Sequence, residues 1–204
     1  VLTCSIWGCG GSTPAPTTPK SGQSAVSAPA STSVSGKIKF KTASGDVLAS
    51  MKPKEYGYKV VDGQGADLGK IKRDGERIKV KIGGATQFKV KPKDGGVKLS
   101  DAAGNTIIRI KRKGEGFQLR DGGDTTFAQL KKKGSNWTAV NANGDLLALV
   151  KVKDTKCKLY DASDKGLFSI SDKSTPAGTA LMAVTNIPII QRCALYAFFK
   201  DKGW

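Results

Sequence analysis

Val97-Lys98-Leu99-Ser100-Asp101-Ala102-Ala103-Gly104-Asn105-Thr106-Ile107-Ile108-Arg109-Ile110 holds the unit from which most of this chain is built. Val97 and Leu99 alternate with Lys98 and Ser100, the period of a strand with one face buried and one face wet. Asp101 to Asn105 is a turn: Asp and Asn side chains bond nearby backbone amides, and Gly104 accepts a positive φ. Apolar residues then return at Ile107 and Ile110. The stretch reads as two short strands joined by a tight turn.

The same unit recurs through the chain. Indexed on its turn residue, it stands at Thr42, Asp62, Ile82, Asp101, Asp121, Asn141 and Asp161, separated by 20, 20, 19, 20, 20 and 20 residues. The positions four and two before each index are apolar or aromatic in every copy, from Ile38 and Phe40 through Tyr58 and Val60 to Cys157 and Leu159. The positions between them are mostly polar, as in Lys39, Lys59, Lys79, Lys98, Gln118, Thr138 and Lys158. Six past the index an apolar residue returns in all copies: Leu48, Leu68, Phe88, Ile107, Phe127, Leu147 and Leu167. Another follows at nine past in most, as Met51, Ile71, Ile110, Leu130, Val150 and Ile170. Six and nine differ in parity, so a β-bulge is expected between them.

Seven such hairpins cannot stop as an open sheet without exposing one apolar face and two edges. The material to cover that face comes next. After Thr175-Pro176 the chain turns apolar from Ala180 to Phe199, before Lys200-Asp201-Lys202. Its length tempts a transmembrane reading. Thr185, Asn186, Pro188, Gln191 and Arg192 stand near its centre, where a charge costs about 2.5–3.5 kcal/mol on insertion scales. A helix apolar nearly all round is otherwise a buried one. The expectation is a mainly β fold, a closed antiparallel barrel of about 12–14 strands, built from the seven hairpins of residues 37–204 around a hydrophobic C-terminal helix at 178–199. Asn186 and Pro188 should break that helix into a short first piece and a longer second one starting near Ile187.

Successive hairpins with Asp and Gly at the turns, repeat shapes such as Tyr58-Lys59-Val60-Val61-Asp62 and Lys158-Leu159-Tyr160-Asp161, and one apolar C-terminal helix resemble the tubby-like superfamily. That group includes the tubby C-terminal domain, the phospholipid scramblases and the plant LURP-one-related proteins. The resemblance implies a closed barrel around a central helix, and a lipid-associated binding module without enzymatic chemistry. It carries over no specific binding residue. Choline-binding repeats share the hairpin length but need recurrent aromatic rings to cage a quaternary ammonium, and Trp137 with a few Tyr does not supply them.

The first residues read differently. Ile6-Trp7-Gly8-Cys9-Gly10 resembles the lipobox of a bacterial lipoprotein, with an aliphatic residue three before the cysteine and a small one just before it. Trp7 departs from that pattern. The resemblance makes residues 1–9 the end of a lipoprotein signal and Cys9 the acylated residue, with Cys4 the poorer alternative. Residues 10–36 are Ser, Thr, Pro, Ala and Gly apart from Lys20, Gln23, Val26 and Val34, a composition that cannot bury enough surface to order itself. As a flexible coil this linker spans roughly 30 Å, the reach needed by a domain tied to a membrane by one end. The implied address is a bacterial cell envelope, with the domain facing periplasm or exterior.

Composition narrows the chemistry. The 204 residues include no His, which removes Ser-His-Asp and Cys-His nucleophile systems and His-ligated metal sites. No cofactor, metal site or enzymatic activity is expected. Lys plus Arg number 34 against 17 acidic residues, a formal charge of +17, which favours an anionic partner. The basic residues gather after the second strand of each copy. Lys111, Arg112, Lys113, Lys131, Lys132, Lys133, Lys151 and Lys153 are the candidate binding group for anionic phospholipid, which contributes about 1 kcal/mol per basic residue near a membrane. The plainer reading is that they keep the protein soluble and discourage edge pairing. Nucleic acid is not expected, since no groove-reading helix or stacking pair accompanies the charge. A scramblase-like lipid handler and a protein-interaction module of the envelope are the alternative functions. Cys157 lies in the inward column and Cys193 in the apolar tail. They are either bridged, worth roughly 3–4 kcal/mol for a loop of that length, or two small apolar fillers.

Overall fold

The computed structural model describes residues 36–153, 156–172 and 175–204. Cys9, Cys4 and the linker as far as residue 35 lie outside the described residues.

Fourteen strands form one closed antiparallel barrel in which each strand pairs with its sequence neighbours and the first closes on the last. They are β1 (Ile38–Thr42), β2 (Val47–Lys54), β3 (Gly57–Asp62), β4 (Asp67–Asp74), β5 (Arg77–Ile82), β6 (Ala85–Lys93) and β7 (Gly96–Asp101), then β8 (Thr106–Lys113), β9 (Gly116–Asp121), β10 (Thr126–Lys133), β11 (Asn136–Asn141), β12 (Leu146–Lys153), β13 (Lys156–Tyr160) and β14 (Gly166–Ile170). The closing seam sets Phe40 opposite Ile170 and Thr42 opposite Phe168. Lys39 N donates to Ser171 Oγ at 3.0 Å just beyond it. Closure removes both edges that an open array would expose.

The index residues do what their chemistry suggests. Asp62 Oδ1 accepts from the backbone N–H of Gln64 and Ala66 at 3.0 and 2.8 Å. Asp101 Oδ1 accepts likewise from Gly104 and Asn105 at 2.7 and 2.8 Å, and Asp161 Oδ1 from Ser163 and Lys165. The third copy is one residue shorter because Gly83-Gly84 makes the whole connection, with φ of 59° and 88°. Two successive positive φ values are the tight hairpin geometry that only glycine adopts freely.

A bulge is present in every hairpin, but its extra residue falls at offset six in six copies and at offset five in the shortened third, not between six and nine. Leu48, Leu68, Ile107, Phe127, Leu147 and Leu167 are the extra residues, skipped where the register shifts. In the shortened third copy the skipped residue is Gln87, so Phe88 takes the inward row opposite Val80. The bulge leucines are only half-buried, Leu48 and Leu167 each 38% exposed. The inward row continues instead through Ala49, Gly69, Ile108, Ala128, Ala148 and Phe168, then Met51, Ile71, Ile110, Leu130, Val150 and Ile170. An extra residue at six resets the parity, which is why six and nine are both apolar.

The apolar segment expected at 178–199 as a short and a longer helical piece is two antiparallel helices, α1 (Pro176–Leu181) and α2 (Ile189–Lys202). The break falls where Asn186 and Pro188 place it. Pro188, with extended backbone, stands at the N-cap of α2, so the second helix starts two residues later than Ile187. The chain enters beside the far end of α2, where the Thr175 hydroxyl donates to the Trp204 carbonyl. It turns at the other end of the barrel, where Arg192 Nη1 donates to the Met182 carbonyl.

Both helices are inside. Every residue from Ile190 to Phe199 is buried, as are Ala177 to Met182. A barrel of this strand number has a wall radius of about 14 Å. One helix about 10 Å across would leave part of that interior empty. α2 leans on β4, β5 and β6, whereas α1 leans on β10, β11, β12 and β13. These sectors are diametrically opposed, since β5 and β12 stand half a turn of the barrel apart. Gly178 lets the helices touch: a Cβ there would sit 3.2 Å from Phe199 Cβ. Phe199 packs on Phe117 with ring centroids 4.9 Å apart, and Tyr196 meets Phe40 edge-on at 5.4 Å. Trp204 covers this end of the plug against Phe117 and Phe199.

Truncating Phe199 to Ala is expected to cost about 3–5 kcal/mol, the range for a buried aromatic. Thr175→Ala, which loses both the cap to Gly178 N–H and the donor to Trp204, should cost about 1–2 kcal/mol. Denaturant unfolding with unchanged m-values would read both, and an effect below about 0.5 kcal/mol for Phe199→Ala would contradict the packing.

Candidate functional site

Because inward residues occupy alternate positions, the residues between them face outward, and register decides which of these stand side by side. Lys52 lies opposite Lys59, Lys59 opposite Lys70, and Lys70 opposite Lys81. Lys72 lies opposite Lys79, and Lys79 opposite Lys89. Lys91 faces Lys98, Lys98 faces Arg109, and Arg109 faces Arg120. The outer wall from β2 to β9 therefore carries three staggered rows of facing positive charges, which end where Lys81 faces Thr86, Lys89 faces Ser100 and Arg120 faces Thr126, while Lys111 faces Gln118. On the rest of the wall such rows are interrupted at Gln129, Thr138, Leu149 and Ser169, though Lys151 faces Lys158 and Lys153 faces Lys156.

The eight basic residues singled out in the sequence separate into two places. Lys111, Lys113, Lys131, Lys133, Lys151 and Lys153 alternate with the inward row and lie on the outer wall. Arg112 and Lys132 have inward parity at the strand ends, opposite Phe117 and Trp137, so they sit at the barrel mouth. Lys132 pairs with Glu115 at 3.2 Å, Lys151 with Asp164 at 2.6 Å and Lys111 with Asp124 at 3.7 Å. Among the described residues, Arg112, Lys113, Lys131, Lys133 and Lys153 make no ion pair. Sequence reading missed the first-strand lysines Lys59, Lys79 and Lys98 as part of the group. The signal was their regular alternation with the apolar column.

Carboxylates are few on this wall and work hard. Asp67 holds Lys59 at 3.2 Å, and Asp74 holds Lys79 at 2.8 Å. Those hydrogen bonds keep both carboxyls below their usual value. Asp124 gathers Arg109, Arg120 and Lys111. Partial burial there works against ionisation, but the Arg120 hydrogen bond and the three cations leave its carboxyl below the usual value. Asp101 is lowered by its hydrogen bonds within the turn, first to Asn105.

The interior offers no comparable chemistry. Cys157 and Cys193 are both buried, and both are free thiols. Burial raises Cys157 while a hydrogen bond with the Thr179 side chain opposes it, and burial pushes Cys193 up to about 12. Burial also pushes Tyr58 up to about 12. Arg192 is 8% exposed, its Nε without a partner and its pKa lowered by burial. Its contact with Met182 places the guanidinium on the C-terminal end of α1, where a cation is favoured, so its role is to latch the two helices. Among the described residues no group of His, Cys, Asp or Glu could hold a metal ion, and no helix is long and apolar enough to cross a membrane.

No family model matches the chain, and no curated protein or solved structure matches it either.

The titrating groups define a stability window. Asp67, Asp74, Asp101 and Asp124 have depressed folded values, so their contribution is present above about pH 4 and is lost as pH falls through the folded values. Cys193 and Tyr58 have raised values, so their contributions are present below the unfolded values of about 8.5 for the thiol and about 10 for the phenol, and are lost as pH rises from each of these towards 12. Thermal unfolding across pH should show a plateau between these limits and a fall on both sides, with Cys193→Ala softening the alkaline fall. A profile still flat at pH 11 would contradict the burial of these groups.

Proposed function

We propose that this chain is a membrane-tethered, non-enzymatic binding module of a bacterial cell envelope, which holds an anionic component on the outer wall of its barrel. The observation that carries the reading is the run of like-charged cross-strand pairs from β2 to β9. Like charges directly opposite one another destabilise a sheet. Solubility alone is served by interspersed signs, so selection for charge density on this wall accounts for the pattern better.

The tether in this reading is acylated Cys9, with the following Ser/Thr/Pro/Ala segment as its leash. Two or three acyl chains hold firmly, since each buried CH₂ contributes about 0.8 kcal/mol. The tubby-like resemblance belongs to the same proposal: a barrel around a helical plug that binds and does not catalyse. Lipid handling of the scramblase type requires room for an acyl chain, and the filling of the interior by α1 and α2 argues against it.

The test uses the full chain with Cys9→Ser, so that binding by the wall is separated from insertion of the anchor. Sedimentation with vesicles of anionic lipid and with an anionic polymer gel should retain the protein at low salt. Release is expected near 1 M salt, where the Debye length is about 3 Å, with no retention on neutral vesicles or gel at any salt. Equal retention on neutral and anionic supports would overturn the reading. For the tether, mass spectrometry of the membrane fraction should find a lipidated Cys9, and Cys9→Ala should move the protein into the soluble fraction.

A further inference from the structure

The basic lattice has a shape as well as a sign. It runs across eight consecutive strands of fourteen, about half the circumference and about 45 Å along the wall. A flat bilayer touches a convex cylinder of this size along only a few adjacent strands, and the remaining rungs would point away from it. A flexible chain can follow the curve. Neighbouring rungs are about 5 Å apart, close to the length of one sugar unit in an extended polysaccharide.

The charges available to such a chain can be named. Among the described residues Lys52, Lys70, Lys72, Lys81 and Lys91 make no ion pair, though the Lys70 charge acts on Asp67, whereas Lys59, Lys79, Arg109 and Arg120 are paired with Asp67, Asp74 and Asp124. Lys89 and Lys98 donate to the turn carbonyls of Ala102 and Gly104 at 3.1 and 3.4 Å. Between β4 and β5 the wall dips into a depression of 440 Å³ lined by Asp67, Lys70, Lys72, Lys81 and the Gly83-Gly84 turn. That volume is within the range of small-ligand sites. Its charge comes from lysines, which are point charges that accept carboxylates from many directions, unlike the forked guanidinium.

Nucleic acid fits the same wall poorly. Single strands are held by stacking bases on aromatic side chains, and no outward position of the lattice carries an aromatic ring; the exposed Tyr56 is in the turn after β2. Duplex DNA, with a persistence length of about 50 nm, does not bend around a wall of about 14 Å radius.

We infer that the outer wall from β2 to β9 is a docking surface for a flexible acidic polysaccharide, laid across the strands with one anionic unit seated among Lys70, Lys72 and Lys81. This rests on the anionic-binding reading above and names its partner class.

Calorimetry on the full chain with Cys9→Ser, using polygalacturonate as the probe, tests it. The comparison is between two variants of equal net charge. One carries Gln at Lys52, Lys70, Lys72, Lys81, Lys89, Lys91 and Lys98; the other carries Gln at Lys37, Lys131, Lys133, Lys153, Lys156, Lys158 and Lys165. The first should lose about 100-fold or more in affinity and flatten the salt dependence, while the second loses about threefold. The first should also melt higher than the parent, because it relieves the facing ammonium pairs, which shows that its lost binding is not lost folding. Monomeric galacturonate should bind far more weakly than the polymer. Equal losses in the two variants, equal affinity for monomer and polymer, or single-stranded DNA binding as tightly as polygalacturonate would overturn the inference. Retention on anionic vesicles with polygalacturonate ignored would overturn it too, while leaving the broader reading intact. Failure of every anionic probe would remove both.

Discussion

The structure depends on apolar contact between the inner wall and the C-terminal segment. A fourteen-stranded barrel closes easily as a hydrogen-bonded object, but its interior is too wide for its own side chains to fill. Left hollow, the inward columns would line an aqueous lumen with residues such as Phe40, Leu99, Leu119 and Leu159. The helices α1 and α2 turn that lumen into a core. Each large side chain taken fully from water contributes about 1.5–3 kcal/mol, and the plug supplies Leu181, Leu195, Tyr196, Phe198 and Phe199 to the same interior. Wall and plug are each unstable alone for the same reason.

That dependence explains several local choices. The plug needs two helices because the interior spans more than one, and it needs a small residue where they touch, hence Gly178 beside Phe199. The loop between them is bound by Arg192, the chain end by Thr175, and the last helical turn by Asp201 to Arg73, Lys202 to Glu76 and Lys200 to Asp172. These contacts fix the plug at both ends of the barrel. With the inside committed to packing, variation in chemistry is left to the outside, where the lysine lattice stands.

Much of this was legible in the sequence, because a twenty-residue repeat displays the same physics seven times. The columns at Ile38 and Phe40 through Cys157 and Leu159 named the inward face directly, and the Asp and Asn residues named the turns. The helix break at Asn186 and Pro188 was readable from local chemistry. The bulge position was harder. Leu48 and its equivalents are apolar at offset six, yet they are the skipped residues, because a bulge places two neighbours on roughly one side and composition does not say which of them is paired. The lattice was hidden for a related reason: whether Lys70 faces Lys59 and Lys81, or slips one position to face Val60 and Val80, is a matter of register, and register follows from the turns and bulges of neighbouring hairpins. The basic group chosen by clustering along the chain therefore mixed wall residues such as Lys113 with mouth residues such as Lys132.

The wall and the plug should form one cooperative unit, and amide hydrogen exchange measured residue by residue on the intact protein tests this most directly. The account predicts that the buried amides of α2, from Cys193 to Phe199, exchange only through global unfolding, with the same free energy and denaturant dependence as inner-wall amides of β3, β9 and β13. Exchange of those helix amides at a clearly lower free energy, while the strands stay protected, would mean that the barrel stands without its contents.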